Sequence, residues 1–375
     1  MHGLRIGIIT SPLDEAARTP MTNLLEVVRN ENGPTYVVTG NAALDFFHDD
    51  IRLSVSGIRY LGGHGVLSRI LGNLYMQIRL SVLLMKLVGR VNVWIFFIGG
   101  EGLFLPMLLT KLTRKTTVLA LSGSDEQSLR FSDDQFSELV RLVSFIARKL
   151  ATRLVIYSEN LVSEWSLEPY KSKISIARHH FIDFRSFRAT RSINSRENIV
   201  GYVGRLSHEK GILQFVRAIP LAARRDPTLR FLIVGDGPLA GTVRAYISAS
   251  GLREIARTIG WVAHADLPSL LNDLRLLVIP SFTEGLPNVM LEAMACGTPV
   301  LAARVGGIPD VISDGETGFL MENNLPESIA SNLMRALKAP NLENMVAEAK
   351  DYVQSNFTLE RSVNSWRNVI RQGND

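Results

Sequence analysis

Short apolar runs of strand length alternate with longer stretches of helical periodicity all along this chain, in two successive series. That alternation restricts the chain to parallel sheets flanked by helices, because a parallel strand pair needs a crossover between its members. The first series predicts strands at 5–10, 36–39, 91–98, 117–121 and 154–157; the second predicts them at 198–203, 230–234, 258–259, 276–279 and 299–302. Between the series lies 183–196, polar, basic and poor in aliphatic residues. The 375 residues also exceed what one hydrophobic core usually covers. The expected architecture is α/β, with two Rossmann-like domains whose parallel sheets face across a cleft: residues 1–187 joined by the C-terminal helix 357–375, and residues 188–356. Ligands of such open sheets bind at the C-terminal ends of the strands.

A single cysteine, Cys296, excludes an intramolecular disulfide framework and a cysteine-rich metal site, and fits a reducing, cytoplasmic setting. The N-terminus runs into a strand-like segment without the architecture of a cleaved signal peptide. The net charge of +5 is unevenly spread: 21 basic residues against 17 acidic ones in 1–185, and 20 against 19 in 186–375. Within 65–120, Arg69, Arg79, Lys86, Arg90, Lys111, Arg114 and Lys115 face one acid, Glu101, in strongly apolar surroundings. Arg79 and Lys86 argue against a spanning helix. A peripheral contact with an anionic membrane, on the inner face of the cell membrane, is one reading, and a crossover helix buried on one side is the other. The cations alternate with aliphatic rather than aromatic residues, which disfavours nucleic acid.

Three loops carry candidate chemistry. The stretch 281–300, S-F-T-E-G-L-P-N-V-M-L-E-A-M-A-C-G-T-P-V, reads as a loop after a buried strand and then a helix opening near Pro287. Glu284 falls in the loop and Glu292 about one turn into the helix, so a ligand across the helix start meets both N–H groups suited to phosphate and carboxylates suited to sugar hydroxyls. A capped helix with two solvated glutamates is the plainer alternative. After the strand at 198–203 comes G-R-L-S-H-E-K-G, where Gly204 opens a loop from which Arg205 and Lys210 project as a diphosphate clamp or as ordinary surface cations. His208 in that loop reads as solvated. Gly235, Asp236, Gly237 and Pro238 form a sharp turn after another strand, where a flat base could approach the backbone or where a tight turn is all there is. Leu239 and Ala240 stand where the dinucleotide fingerprint needs its third glycine. No H-E-x-x-H, P-loop or G-x-S-x-G is present, and no bound metal is expected.

Together, G-R-L-S-H-E-K-G, V-G-D-G-P, P-S-F-T-E-G-L-P-N-V-M-L-E-A-M-A-C-G-T-P-V, G-G-I-P-D and G-E-T-G-F-L, in this order across 198–335, resemble glycosyltransferase family 4. The resemblance implies a GT-B fold, a nucleotide-diphosphate sugar as donor substrate with no other cofactor, retention of anomeric configuration, and chemistry without a metal. By motif it implies that Arg205 and Lys210 hold the diphosphate. Glu284 with the backbone of Gly285, Leu286, Pro287 and Asn288 would hold the transferred sugar and phosphate, Glu292 the ribose, and Gly235 to Pro238 would lie near the base. The expected acceptor is a lipid-linked or cell-surface glycan precursor.

The N-terminal half departs from the pattern. Thr10-Ser11-Pro12-Leu13-Asp14 stands in place of a glycine-rich loop. Ser122, in L-S-G-S-D, stands where many members carry a histidine beside the sugar, and could still hydrogen-bond it. A-R-H-H-F-I-D replaces an asparagine-glycine turn. The final helix would cross back to the N-terminal domain, with Phe357 and Trp366 packing there. These departures keep open a second reading, a non-catalytic nucleotide-sugar-binding subunit of a glycosylation complex.

Overall fold

The computed structural model describes residues 4–29, 34–60, 65–123 and 137–372. The chain divides into two compact units, Met1–Phe181 with Leu359–Asp375, and Ile182–Thr358. The first boundary lies at 181/182 rather than the expected 187/188.

In unit 1, β1 (Ile6–Leu13), β2 (Thr35–Asn41), β3 (Leu53–Ile58), β4 (Val93–Phe96), β5 (Thr116–Ala120), β6 (Arg153–Ile156) and β7 (Ile174–Ile176) form one sheet in the order β3-β2-β1-β4-β5-β6-β7. All its pairings are parallel. The helices of this unit are α1 (Arg18–Val27), α2 (Ala42–Phe47), α3 (Val66–Leu87), α4 (Phe104–Leu112), α5 (Ser137–Leu150), α6 (Asn160–Glu164) and, after the chain returns from unit 2, α13 (Leu359–Gln372). Residues 11–13, expected beyond the strand, continue β1 past a register shift between Ile9 and Pro12.

One face of this sheet contributes Ile6, Ile8, Val93 and Ile95 to a core closed by Met21, Leu24 and Val27 of α1 and by Trp366, Val369 and Ile370 of α13. Residues of the opposite face, such as Ile9, Trp94 and Phe96, are equally buried, as a parallel sheet covered on both sides requires. Trp366 thus packs in unit 1 as expected. Phe357 belongs to unit 2, its ring centroid 6.3 Å from that of Tyr352.

In unit 2, β8 (Ile199–Val203), β9 (Arg230–Val234), β10 (Ala256–Ile259), β11 (Leu276–Ile279), β12 (Val300–Ala303) and β13 (Phe319–Met321) form a second sheet, ordered β10-β9-β8-β11-β12-β13. It too is parallel throughout. Its helices are α7 (Ile212–Arg225), α8 (Ala240–Ala249), α9 (Leu267–Asp273), α10 (Asn288–Ala295), α11 (Pro326–Leu337) and α12 (Leu342–Asn356). Strand order reverses between β8 and β11, and the C-terminal ends of these two strands are where open sheets of this kind bind ligands.

Candidate functional site

Both loops at that reversal carry the candidate residues. From β8, Gly204 leads into Arg205, whose carbonyl accepts a 2.7 Å hydrogen bond from the Tyr202 hydroxyl. Burial pushes the Tyr202 phenol well above its usual range, so it stays protonated and donates. The loop ends at Gly211, a left-handed residue (φ 68°) that caps α7. A Cβ there would lie 1.9 Å from the Pro280 carbonyl oxygen, so only glycine allows the loop to touch the one leaving β11.

The contact between these loops is polar as well. Phe282 N donates to Glu209 O at 2.8 Å. The Lys210 ammonium meets Glu284 Oε1 at 2.8 Å, and Ser281 Oγ donates to the same oxygen at 2.7 Å. Glu284 is 9% exposed and Lys210 31%. Arg205 is exposed.

The turn after β9 adjoins the same loop. Leu206 N donates to Asp236 O, and Leu239 N to Leu206 O, both at 2.9 Å, while Gly237 N bonds to Asp236 Oδ1 at 2.7 Å. Gly235 (φ 135°) would place a Cβ 2.0 Å from Gly204 O. The close backbone approach that requires this glycine is therefore made by the protein's own chain.

Helix α10 starts at Asn288 with Pro287 as its N-cap and without a side-chain cap, as the sequence predicts. The Asn288 and Val289 N–H groups precede its first hydrogen bond, Met290 N to Pro287 O at 3.2 Å, and together with the aligned peptide dipoles they favour an anion. Gly285, Leu286 and Pro287 are buried, and Gly285 O is held by Gly307 N at 2.7 Å.

Glu292 is 4% exposed, and His264 Nε2 lies 2.8 Å from its Oε1. That hydrogen bond raises the His264 pKa, with burial opposing it. The Phe187 ring packs against the imidazole at 5.1 Å between centroids. Neither glutamate is a solvated surface residue, so that alternative is set aside. His264 was not singled out in the sequence: a histidine outside any spaced motif gives no signal until the fold brings it to Glu292.

Unit 2 therefore gathers Gly204, Arg205, Lys210, Gly235 to Pro238, Glu284 to Asn288 and Glu292 at the C-terminal ends of its central strands. Two cations of one loop, with Lys210 held against the loop that leads into α10, suit a diphosphate, and buried carboxylates suit hydroxyl groups. His208 is exposed. Ser122 stands exposed just beyond β5 in unit 1, whereas Ser124 and Asp125 of the same segment lie outside the described residues. Among the described residues, no group of three or more His, Cys, Asp or Glu side chains is placed to hold a metal ion.

Residues 183–351 match the family model described as "Glycosyl transferases group 1". The chain is 32% identical over 222 residues to the D-inositol 3-phosphate glycosyltransferase of Rhodococcus opacus (strain B4), covering 55% of this chain and 49% of that protein. It is 35% identical over 150 residues to the alpha-D-kanosaminyltransferase of Streptomyces kanamyceticus, covering 40% and 39%. The matches thus span less than half the length of these curated relatives. Among solved structures, Anabaena HepE in complex with UDP and glucose superposes with a TM-score of 0.78 at 17% identity, over 98% of this chain and 99% of that one. Sucrose-phosphate synthase from Thermosynechococcus elongatus gives 0.73 at 18%, over 98% of both. Identities this low speak for the fold alone.

Proposed function

We propose that this chain, a group 1 glycosyltransferase by its residues 183–351 and GT-B in fold, transfers a sugar from a nucleotide-diphosphate donor to an acceptor hydroxyl with retention of anomeric configuration. The observation that carries this reading is the Lys210–Glu284 ion pair joining the two loops at the strand-order reversal, in the loop that leads into α10. HepE, a structural neighbour, was solved with UDP, which supports a nucleotide-diphosphate donor here.

The chemistry follows from charge. Breaking the bond between sugar C1 and the phosphate oxygen builds positive charge on the sugar and negative charge on the departing diphosphate. Arg205, Lys210 and the N–H groups opening α10 stabilise that negative charge, and they gain strength as it develops. The acceptor oxygen bonds to C1 on the face the phosphate leaves, and its proton passes to the departing phosphate oxygen. Glu284 orients Lys210 and hydrogen-bonds the sugar, while Glu292 receives the ribose hydroxyls. No step requires a protein nucleophile or a metal. We take the acceptor to be a lipid-linked or cell-surface glycan precursor.

Ser122, standing where many family members have a histidine, favours a second reading as a non-catalytic nucleotide-sugar-binding subunit. The test is incubation of the purified chain with a panel of nucleotide sugars and a lipid extract, read by mass spectrometry, with the product anomer assigned by NMR. A sugar-shifted product that disappears in Lys210→Ala supports the transferase. Donor binding by calorimetry with no product from any acceptor supports the subunit, and an inverted anomer overturns retention.

A further inference from the structure

Helix α3 is long and apolar enough to cross a membrane by length and composition, yet it is built into the fold of unit 1. Met76, Leu80, Leu84 and Leu87 are buried, and Gln77 Oε1 accepts the Leu105 N–H at 3.0 Å, tying α3 to α4. Its other face remains uncovered. Ile70, Leu71, Leu74, Tyr75, Ile78, Val82 and Met85 are all exposed, and at 100° per residue they fall within an arc of roughly 140°. Arg79 and Lys86 fall on one flank of that arc, at roughly 160–180°.

The exposure continues past α3. Helix α4 packs on α3 and α5 on α4, and Leu108 and Leu112 of α4 and Leu139, Leu142 and Phe145 of α5 are exposed too. Between α3 and α4 runs an apolar groove of about 570 Å³, lined by Ile78, Val82, Met85 and Leu108, with Lys86 at its edge. Scattered exposed aliphatics need no explanation, but a continuous apolar face of three adjacent helices does.

The charges around this face are predominantly basic. Arg79, Lys86, Lys111, Arg114 and Lys149 are exposed on or beside the three helices. Glu101, the one acid of 65–120, is turned inward and paired with Arg148 at 2.7 Å. Among the described residues of α3, α4 and α5, the one exposed acid is Glu138, which pairs with Arg141 at 2.9 Å. A second copy docked here about a two-fold axis would bring like charges together. An apolar stripe rimmed by cations is instead the complement of an anionic bilayer, whose headgroups meet the cations while aliphatic side chains enter the acyl boundary.

We propose that the outer face of α3, α4 and α5 docks unit 1 onto an anionic phospholipid bilayer as a monotopic surface. It is independent of the donor reading, which rests on unit 2.

The test is sedimentation of the full chain with vesicles of phosphatidylcholine containing about 30 mol% phosphatidylglycerol, against phosphatidylcholine alone. Binding is expected to the anionic vesicles, to be lost in high salt, and to weaken about tenfold in both Ile78→Gln/Val82→Gln and Lys86→Glu/Lys111→Glu. These side chains are exposed, so thermal unfolding serves as the control for folding. Independently, a tryptophan introduced by Tyr75→Trp is expected to shift its emission to the blue on adding anionic vesicles. The proposal is overturned by absence of vesicle binding, by binding that neither variant weakens, or by an unshifted emission. A dimer seen by ultracentrifugation that Ile78→Gln/Val82→Gln dissociates, with no vesicle binding, overturns it in favour of a second copy.

Discussion

Lys210 and Glu284, from loops that leave neighbouring strands of one sheet, form a 2.8 Å ion pair in which the carboxylate also accepts from Ser281. The ammonium has three N–H donors, so one bond to Glu284 fixes its direction and leaves two for phosphate oxygens. Lys210→Ala removes that charge and strands a nearly buried carboxylate. We expect kcat to fall about 10²- to 10³-fold, with Lys210→Arg intermediate because it keeps the charge but moves the donors. Initial rates at saturating donor measure this, and a loss confined to KM would place Lys210 in ground-state binding alone.

The His264–Glu292 hydrogen bond gives a pH signature. It raises the folded-state pKa of His264 above the ordinary 6.5, so its contribution is fully present below pH 6.5 and disappears as pH rises through the raised value. Proton NMR of the imidazole is expected to titrate above 6.5 in the native protein and to return toward 6.5 in Glu292→Gln. The same variant is expected to weaken donor binding about tenfold, through loss of a charged acceptor for ribose hydroxyls. An unmoved imidazole titration would mean that the pair does not persist in solution.

Which parts of this organisation are legible in sequence follows from burial. The central strands β8, β9 and β11 are apolar runs, apart from the exposed Arg230 that opens β9, as strands covered on both faces require, and they stand at or within one residue of their predicted bounds. The strands that were missed, β3, β7 and β13, are all sheet edges. β3 has only intermediate burial up to Ile58, and β7 and β13 have three residues each, too few to establish a period. In the site, Arg205, Lys210, Glu284 and Glu292 were visible because glycine-bounded loops and a helix start surround them. The partners that orient them were not: Ser281 reaches Glu284 only through the turn of the loop three residues on, and His264 reaches Glu292 only when the fold brings together side chains 28 positions apart. The sequence left Gly235 open between room for a base and a plain tight turn; the neighbour that requires a glycine there is Gly204 O, a tertiary contact that no local pattern encodes.

The Glu101–Arg148 pair, with both side chains almost fully buried, predicts a sharp contrast between mutants. Removing one partner, as in Glu101→Ala or Arg148→Ala, leaves an uncompensated buried charge and is expected to cost about 3–5 kcal/mol in chemical denaturation. Replacing both, Glu101→Leu with Arg148→Met, is expected to recover most of that loss. Equal destabilisation by the single and double variants would show that the pair contributes through partners other than each other.

His179 is expected to contribute acid sensitivity to unit 1. Its ring is buried, neither nitrogen has a hydrogen-bond partner, and it packs edge-on to Phe97 and Tyr157 and stacks on His180 at 4.3 Å. Burial lowers its pKa to about 3, far below the ordinary 6.5, so the folded protein keeps it neutral while the unfolded chain protonates it. The stability this neutral histidine permits is whole above pH 6.5 and declines as pH falls toward 3, by up to about 1.4 kcal/mol per pH unit. Denaturation series between pH 7 and pH 4 are therefore expected to slope more steeply for the native chain than for His179→Phe, which keeps the aromatic packing and has no proton to bind. Since carboxylates protonate mostly below that window, parallel slopes in the two proteins would locate the acid sensitivity in another group.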